Sequence, residues 1–267
     1  MTARLLQHFG FHTHPFSRAT SKEALFRHPG FVEALERLRF TVELDSLAAL
    51  AAESGCGKSL LLGVLSDELQ QQGMTVHYLA HSTIGPFGLV NVLARKAGLA
   101  PRRSRGETAA ELSRTLLADE RKHFLVIDEA HQLSDDTLED LRLLTIADFD
   151  RKSPFLLLLA GKPGLDDRLA EPIHHAFDQR ITTLARLLPL TADETREYLR
   201  HRLAAAGSAD RPVFEDSAMA AIHDASNGVP RRINNLATSA LAVAATRKRR
   251  IATAQDVQDA RIDRGRQ

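Results

Sequence analysis

Apolar residues follow two different periods up to about residue 188 of this chain and a single period after it. Compact apolar runs of strand length fall at 44–52, 75–80, 123–128, 154–160 and 181–187. Between them, 59–72, 86–97, 107–118 and 135–147 repeat their apolar positions every three or four residues, as amphipathic helices do. Strands separated by helices of this length predict an α/β fold, a parallel sheet with helices on both faces. From Leu190 onward only the helical period persists, over 193–206, 216–226, 231–246 and 253–262. Thr191, Asp216 and Thr253 are suited to cap these helices, and Gly207 and Gly228 to punctuate them. The opening residues are mixed, irregular over 8–15 and helical over 31–42. The expected division is an N-terminal segment 1–43, an α/β domain 44–189 and a small all-helical domain 190–267.

The junction of the first strand with the following helix carries the most chemistry. Ala52-Glu53-Ser54-Gly55-Cys56-Gly57-Lys58-Ser59 nearly spells the phosphate-binding pattern G-x-x-x-x-G-K-[ST]. A loop between a strand and a helix N-terminus turns backbone N–H groups toward one point and adds the positive end of the helix dipole. Glu53, Ser54, Gly55, Cys56, Gly57, Lys58, Ser59 and Leu60 are therefore candidates to hold the phosphates of ATP. Lys58 would reach the β- and γ-phosphates, and the Ser59 hydroxyl would hold Mg²⁺. Ala52 replaces the first glycine of the pattern, which is tolerable where its φ is negative. On this motif alone, a chance glycine-rich turn is the alternative.

Phe124-Leu125-Val126-Ile127-Asp128-Glu129 supplies a second half for the same site, an apolar strand ending in two carboxylates. Asp128 fits the acid that holds Mg²⁺ beside a phosphate-binding loop. Glu129 fits the base that polarises the attacking water. A lone Asp-Glu pair also suits a helix cap followed by a first-turn acid. Downstream of a phosphate-binding loop and on so apolar a strand, nucleotide hydrolysis is the better reading.

Composition adds bounds. The longest apolar run, 155–161, is strand-sized and well short of the ~18 residues that span a bilayer. One cysteine excludes an internal disulfide, and the N-terminus lacks a signal-peptide core, so a cytoplasmic, non-membrane protein is expected. A net charge of +1 says little as a total. Its distribution says more, because Arg102, Arg103 and Arg105 form one cluster and Arg247, Lys248, Arg249 and Arg250 another. Such clusters suit the phosphates of double-stranded DNA, and equally a solvated run at a helix C-terminus. With no Trp and two Tyr, stacking on single strands has little support. His12 with His14, His77 with His81 and His174 with His175 are paired in sequence. On a strand, however, a four-residue separation places two side chains about 13 Å apart. Incidental histidines are the better reading than a metal site.

Taken together, the chain resembles the AAA+ ATPases, and within them the general secretion pathway protein A ATPases and the bacterial transposition helper ATPases. The resemblance rests on His14-Pro15-Phe16, the phosphate loop, Ile127-Asp128-Glu129-Ala130-His131 and Leu159-Ala160-Gly161-Lys162-Pro163-Gly164-Leu165. It continues through Phe177-Asp178-Gln179-Arg180-Ile181 and Gly228-Val229-Pro230-Arg231-Arg232-Ile233-Asn234. It implies an AAA+ parallel sheet with a helical lid domain, and an N-terminal segment packed near the nucleotide base. Lys162 falls where the family's phosphate-sensing strand ends, Arg180 where it places a finger lent to the neighbouring subunit, and Arg231 at the second sensor. It further implies a homo-oligomer, ring or filament, that assembles on double-stranded DNA with ATP and acts with a transposase. A secretion-type ATPase of the envelope and an ATP-gated protein-interaction switch are the rival readings.

Overall fold

The computed structural model describes residues 2–17, 25–80, 85–147, 151–208 and 211–265. In chain order these form α1 (Thr2–Phe9), α2 (Pro29–Glu43), β1 (Leu47–Ala52), α3 (Lys58–Gln71), β2 (Thr75–Leu79), α4 (Pro86–Lys96) and α5 (Arg105–Ala118). Then come β3 (His123–Ile127), α6 (Asp135–Leu144), β4 (Leu156–Gly161) and the short α7 (Leu165–Leu169) and α8 (His175–Asp178). The series ends with β5 (Ile181–Leu187), α9 (Ala192–Ala205), α10 (Asp216–Ser226), α11 (Pro230–Thr246) and α12 (Ala254–Gly265). The chain divides into an α/β unit, Gly30–Leu187, and a helical unit, Met1–Pro29 with Leu188–Gln267.

In the α/β unit the five strands are all parallel, in the order β2-β3-β4-β1-β5. The three inner strands are buried at every position, as strands covered on both faces must be, and their sequences are unbroken apolar runs apart from His123. The edge strand β5 instead mixes buried and accessible positions. Register is continuous across the middle: Val126 lies opposite Leu158, and Leu158 opposite Ala48. This puts the carboxyl ends of β1 and β3 on one edge of the sheet, where α/β folds bind ligands. Ser104 and Ser134 cap α5 and α6 by accepting the N–H groups of Glu107 and Thr137. Strand β1 starts later than expected because Asp45 adopts a left-handed φ of 50° after α2.

The helical unit has its own core, in which Leu199, Ile222, Ile233, Leu241 and Val257 are buried. Thr191 and Glu194 close a reciprocal capping box on α9, and Pro230 opens α11. The N-terminal segment does not stay together. Leu5, Phe9, Phe11 and Phe16 join the helical core, whereas α2 belongs to the α/β unit. Residues 2–9 are helical, so the irregular stretch expected over 8–15 begins only after Phe9; Leu5 and Phe9 sit one turn apart and bury the same face. His14-Pro15-Phe16 is tied down by the buried Arg202, whose guanidinium donates to the carbonyls of Pro15 at 2.7 Å and Ser17 at 2.8 Å. Among the described residues, no helix is long and apolar enough to cross a membrane.

Candidate functional site

The phosphate-loop residues run from the end of β1 to the start of α3. Gly57 holds a φ of 106° immediately before the helix, a conformation that nearly any side chain would strain. The N–H groups of Leu60 and Leu61 both donate to the Gly57 carbonyl, so the helix starts there. No side chain caps α3 among the described residues, leaving its first N–H groups directed at the loop. Ala52 ends β1 paired with Leu187 and is absent from the residues that combine a side chain with positive φ. The missing glycine therefore imposes no strain. Cys56 is buried, and its N–H donates to the Glu53 carbonyl at 3.2 Å.

Two carboxylates converge on Lys58. Its ammonium lies 2.7 Å from Asp128 Oδ1 and 2.6 Å from Glu129 Oε1, with the Lys58 and Asp128 side chains each 8% exposed. Asp128 receives two further donors, the Tyr78 hydroxyl at 2.8 Å and the Glu129 main-chain N–H at 2.8 Å. Burial opposes ionisation of Asp128, but the hydrogen bonds from Lys58 and Tyr78 outweigh it and hold its pKa below the usual carboxylate value. Burial and the bond to Asp128 push the Tyr78 hydroxyl up to about 12, so it stays a donor. Glu129 has a φ of 56°, a costly backbone for a residue with a side chain. Asp128 and Ser59 offer a carboxylate and a hydroxyl, hard oxygen donors that fit Mg²⁺.

Tyr78 joins this site without any signal in the sequence, and His131, which the sequence offered only as the end of the Ile127–His131 motif, joins it as well. Tyr78 lies on β2, which pairs with β3 in a register that sets Tyr78 opposite Val126. His131 lies in a single 3₁₀ turn, Ala130–Gln132, with its Nε2 3.8 Å from Glu129 Oε2. Of the histidines paired in sequence, His77 and His174 find partners elsewhere in the fold. His77 Nε2 lies 3.1 Å from His123 Nδ1, and His174 Nε2 lies 3.1 Å from Asp135 Oδ1. Burial, then the neighbouring His123 and Lys96, lower the His77 pKa to about 4. His81 lies outside the described residues.

The remaining candidates are less concentrated. Lys162 directly follows β4, is exposed, and donates its main-chain N–H to His131 Nδ1. Arg180 is half-buried between α8 and β5 and donates to the Thr145 carbonyl at 3.3 Å. Arg180 thus has a partner in its own unit, which the sequence reading did not foresee. Arg231 is the second residue of α11, in the helical unit. The basic clusters are largely paired with acids, most of them in the helix that follows each cluster. Arg102 pairs with Glu111 at 2.6 Å, Arg105 with Asp140 at 3.0 Å, and Arg247 with Asp256 at 2.7 Å and Asp259 at 2.5 Å. Arg249 also reaches Asp256, at 3.2 Å, and Arg250 donates to the His8 carbonyl. Lys248 follows the end of α11 with a left-handed φ of 58°, and Arg103 is exposed.

Residues 42–169 match the family described as AAA domain. General secretion pathway protein A of Aeromonas hydrophila is 30% identical over 247 residues, which is 90% of this chain and 45% of the relative. The chain thus spans less than half the length of that curated relative. Among solved structures, Cdc6p from Pyrobaculum aerophilum superposes with a TM-score of 0.70 at 19% identity, covering 92% of this chain and 69% of that one. The Aeropyrum pernix ORC1 protein in complex with DNA gives 0.66 at 18% identity, covering 95% and 69%. The Thermotoga maritima RuvB Holliday junction branch migration motor gives 0.59 at 20% identity, covering 92% and 72%. At these identities the likeness is one of fold.

Proposed function

We propose that the α/β unit of this chain, whose residues 42–169 match the AAA domain family, is an AAA+ ATPase that hydrolyses ATP. The observation that carries this reading is the convergence of Lys58, Asp128 and Glu129 at the carboxyl ends of β1 and β3. ATP would seat its phosphates on the N–H groups of the 53–60 loop and draw Lys58 toward the β- and γ-phosphates. Glu129 then takes a proton from the attacking water. Tyr78 and the Glu129 N–H keep Asp128 ionised and oriented. Ser59 and Asp128 would hold Mg²⁺, which when bound neutralises charge on the β- and γ-phosphates. Lys162 and Arg231 are proposed phosphate contacts, and Arg180 the finger that one subunit of a homo-oligomer lends to the next.

Release of phosphate from ATP, with and without Mg²⁺, tests the hydrolysis. Mixtures of Arg180→Ala and Lys58→Ala subunits test the finger. Neither variant should hydrolyse alone, and a mixture should regain activity. No recovery at any ratio would leave Arg180 with its contact to Thr145 and no role across subunits.

We further propose that ATP drives assembly on double-stranded DNA, as a transposition helper would need. Support comes from the sequence resemblance and from a fold shared with proteins solved on DNA. The pairing of Arg102, Arg105, Arg247 and Arg249 with carboxylates works against it. A second reading, a secretion-type ATPase, is favoured by the alignment with general secretion pathway protein A over 90% of the chain. A DNA titration in ATP, in ADP and without nucleotide separates the two. Tight binding in ATP alone, weakening several-fold or more from about 50 to about 200 mM salt, supports the first. Equal or absent binding in all three removes it.

A further inference from the structure

The turn after β3 brings a histidine to the proposed base. His131 Nδ1 accepts the Lys162 main-chain N–H at 3.4 Å. A ring nitrogen that accepts carries no proton, so the neutral ring has its proton on Nε2, the atom turned toward Glu129 Oε2. Burial keeps the ring neutral, lowering its pKa against the opposing pull of Glu129. The ring is seated by its surroundings. A Cβ at Gly161 would come within 3.3 Å of both the main-chain nitrogen and Nδ1 of His131, so glycine at the end of β4 leaves the ring its place. Arg168 donates to the His131 carbonyl at 3.1 Å and is itself tied to Asp135 at 2.5 Å.

Glu129 has its two oxygens turned to different partners, Oε1 to Lys58 at 2.6 Å and Oε2 to His131 at 3.8 Å. Phosphate competes for Lys58, and a lysine drawn to phosphate releases Oε1. The N–H of His131 is then the nearby donor for the released carboxylate. A separation about 1 Å beyond a hydrogen bond is one that substrate complexes commonly tighten. We propose that His131 is a positioning residue: it takes up the Glu129 carboxylate that Lys58 gives up and ties its aim to the Gly161-Lys162 turn. The proposal rests on Glu129 being the base.

The test measures single-turnover ATP hydrolysis, ATP affinity and Tm for wild type, His131→Ala, His131→Gln and His131→Asn, with Glu129→Gln alongside. His131→Ala should slow hydrolysis about 10- to 100-fold, the scale of a misaimed catalytic group, with affinity and Tm nearly unchanged. His131→Gln places an amide N–H near the position of Nε2 and should recover most of the rate. His131→Asn keeps an acceptor for the Lys162 N–H but stops short of Glu129, and should be as slow as alanine. A wild-type rate in His131→Ala beside a slow Glu129→Gln overturns the proposal and leaves the base assignment standing. Asparagine as fast as glutamine, or parallel losses of rate, affinity and Tm in all three, also overturns it. A wild-type rate in Glu129→Gln removes the base and this proposal with it.

Discussion

The proposed nucleotide site and the basic clusters are both built from cations facing carboxylates, yet they differ in what holds them. At the site, Lys58 and Asp128 are each 8% exposed, and strand ends and a helix start fix their positions. In the clusters, Arg102 is 58% exposed and meets Glu111 in the helix that begins just after it. Two buried charges beside the half-buried Glu129, together net negative, are costly unless something uses them. An exposed pair costs little and contributes little. The difference teaches that charge in a sequence becomes a functional argument only where the main chain fixes the charge and removes it from water. Asp256 is an informative intermediate. Its side chain is fully buried, but it serves the fold by receiving Arg247, Arg249 and the Thr253 N–H at the start of α12.

Substitutions rank these regions. Lys58→Ala should have the largest effect, abolishing measurable ATP binding in a titration by removing the cation and leaving two carboxylates to repel phosphate. ATP binding at wild-type affinity would break the contrast between site and surface. Acid should come next, through His77. Its folded pKa of about 4 lies below the ordinary 6.5, so the unfolded chain takes up a proton that the folded chain refuses. Stability should therefore fall as pH drops from about 6.5 to about 4, by ~3 kcal/mol from this group. Denaturant midpoints across that range check it, and the slope should flatten in His77→Gln. Asp256→Asn should lower Tm by several degrees while leaving hydrolysis intact, since it breaks the junction before α12. Arg102→Ala should be the smallest, leaving Tm within about 2 °C. A larger fall in Arg102→Ala than in Asp256→Asn would reverse the order that burial sets.

The parts legible in the sequence were those that the main chain determines. Apolar runs marked all five strands, and the run 53–60 marked the loop because Gly57 and Lys58 have meaning only between a strand and a helix. Side-chain partners far apart in sequence were not legible. Tyr78 meets Asp128, and His77 meets His123, only because β2 and β3 pair in one particular register. Glu111, Asp140 and Asp256 gave no hint that they neutralise the arginine clusters. Helix α1 was missed because it is eight residues long, and its helicity depends on Leu5 and Phe9 finding the helical core.

The central claim is that Glu129, held beside Lys58 and Asp128, is the base of an ATP hydrolase. Single-turnover hydrolysis of pre-bound ATP by Glu129→Gln, against wild type, tests it most directly. Glutamine keeps the shape and the contact with Lys58 but accepts no proton. The account predicts ATP bound about as tightly as in wild type and hydrolysed roughly 10²- to 10⁴-fold more slowly. Hydrolysis at the wild-type rate would contradict it.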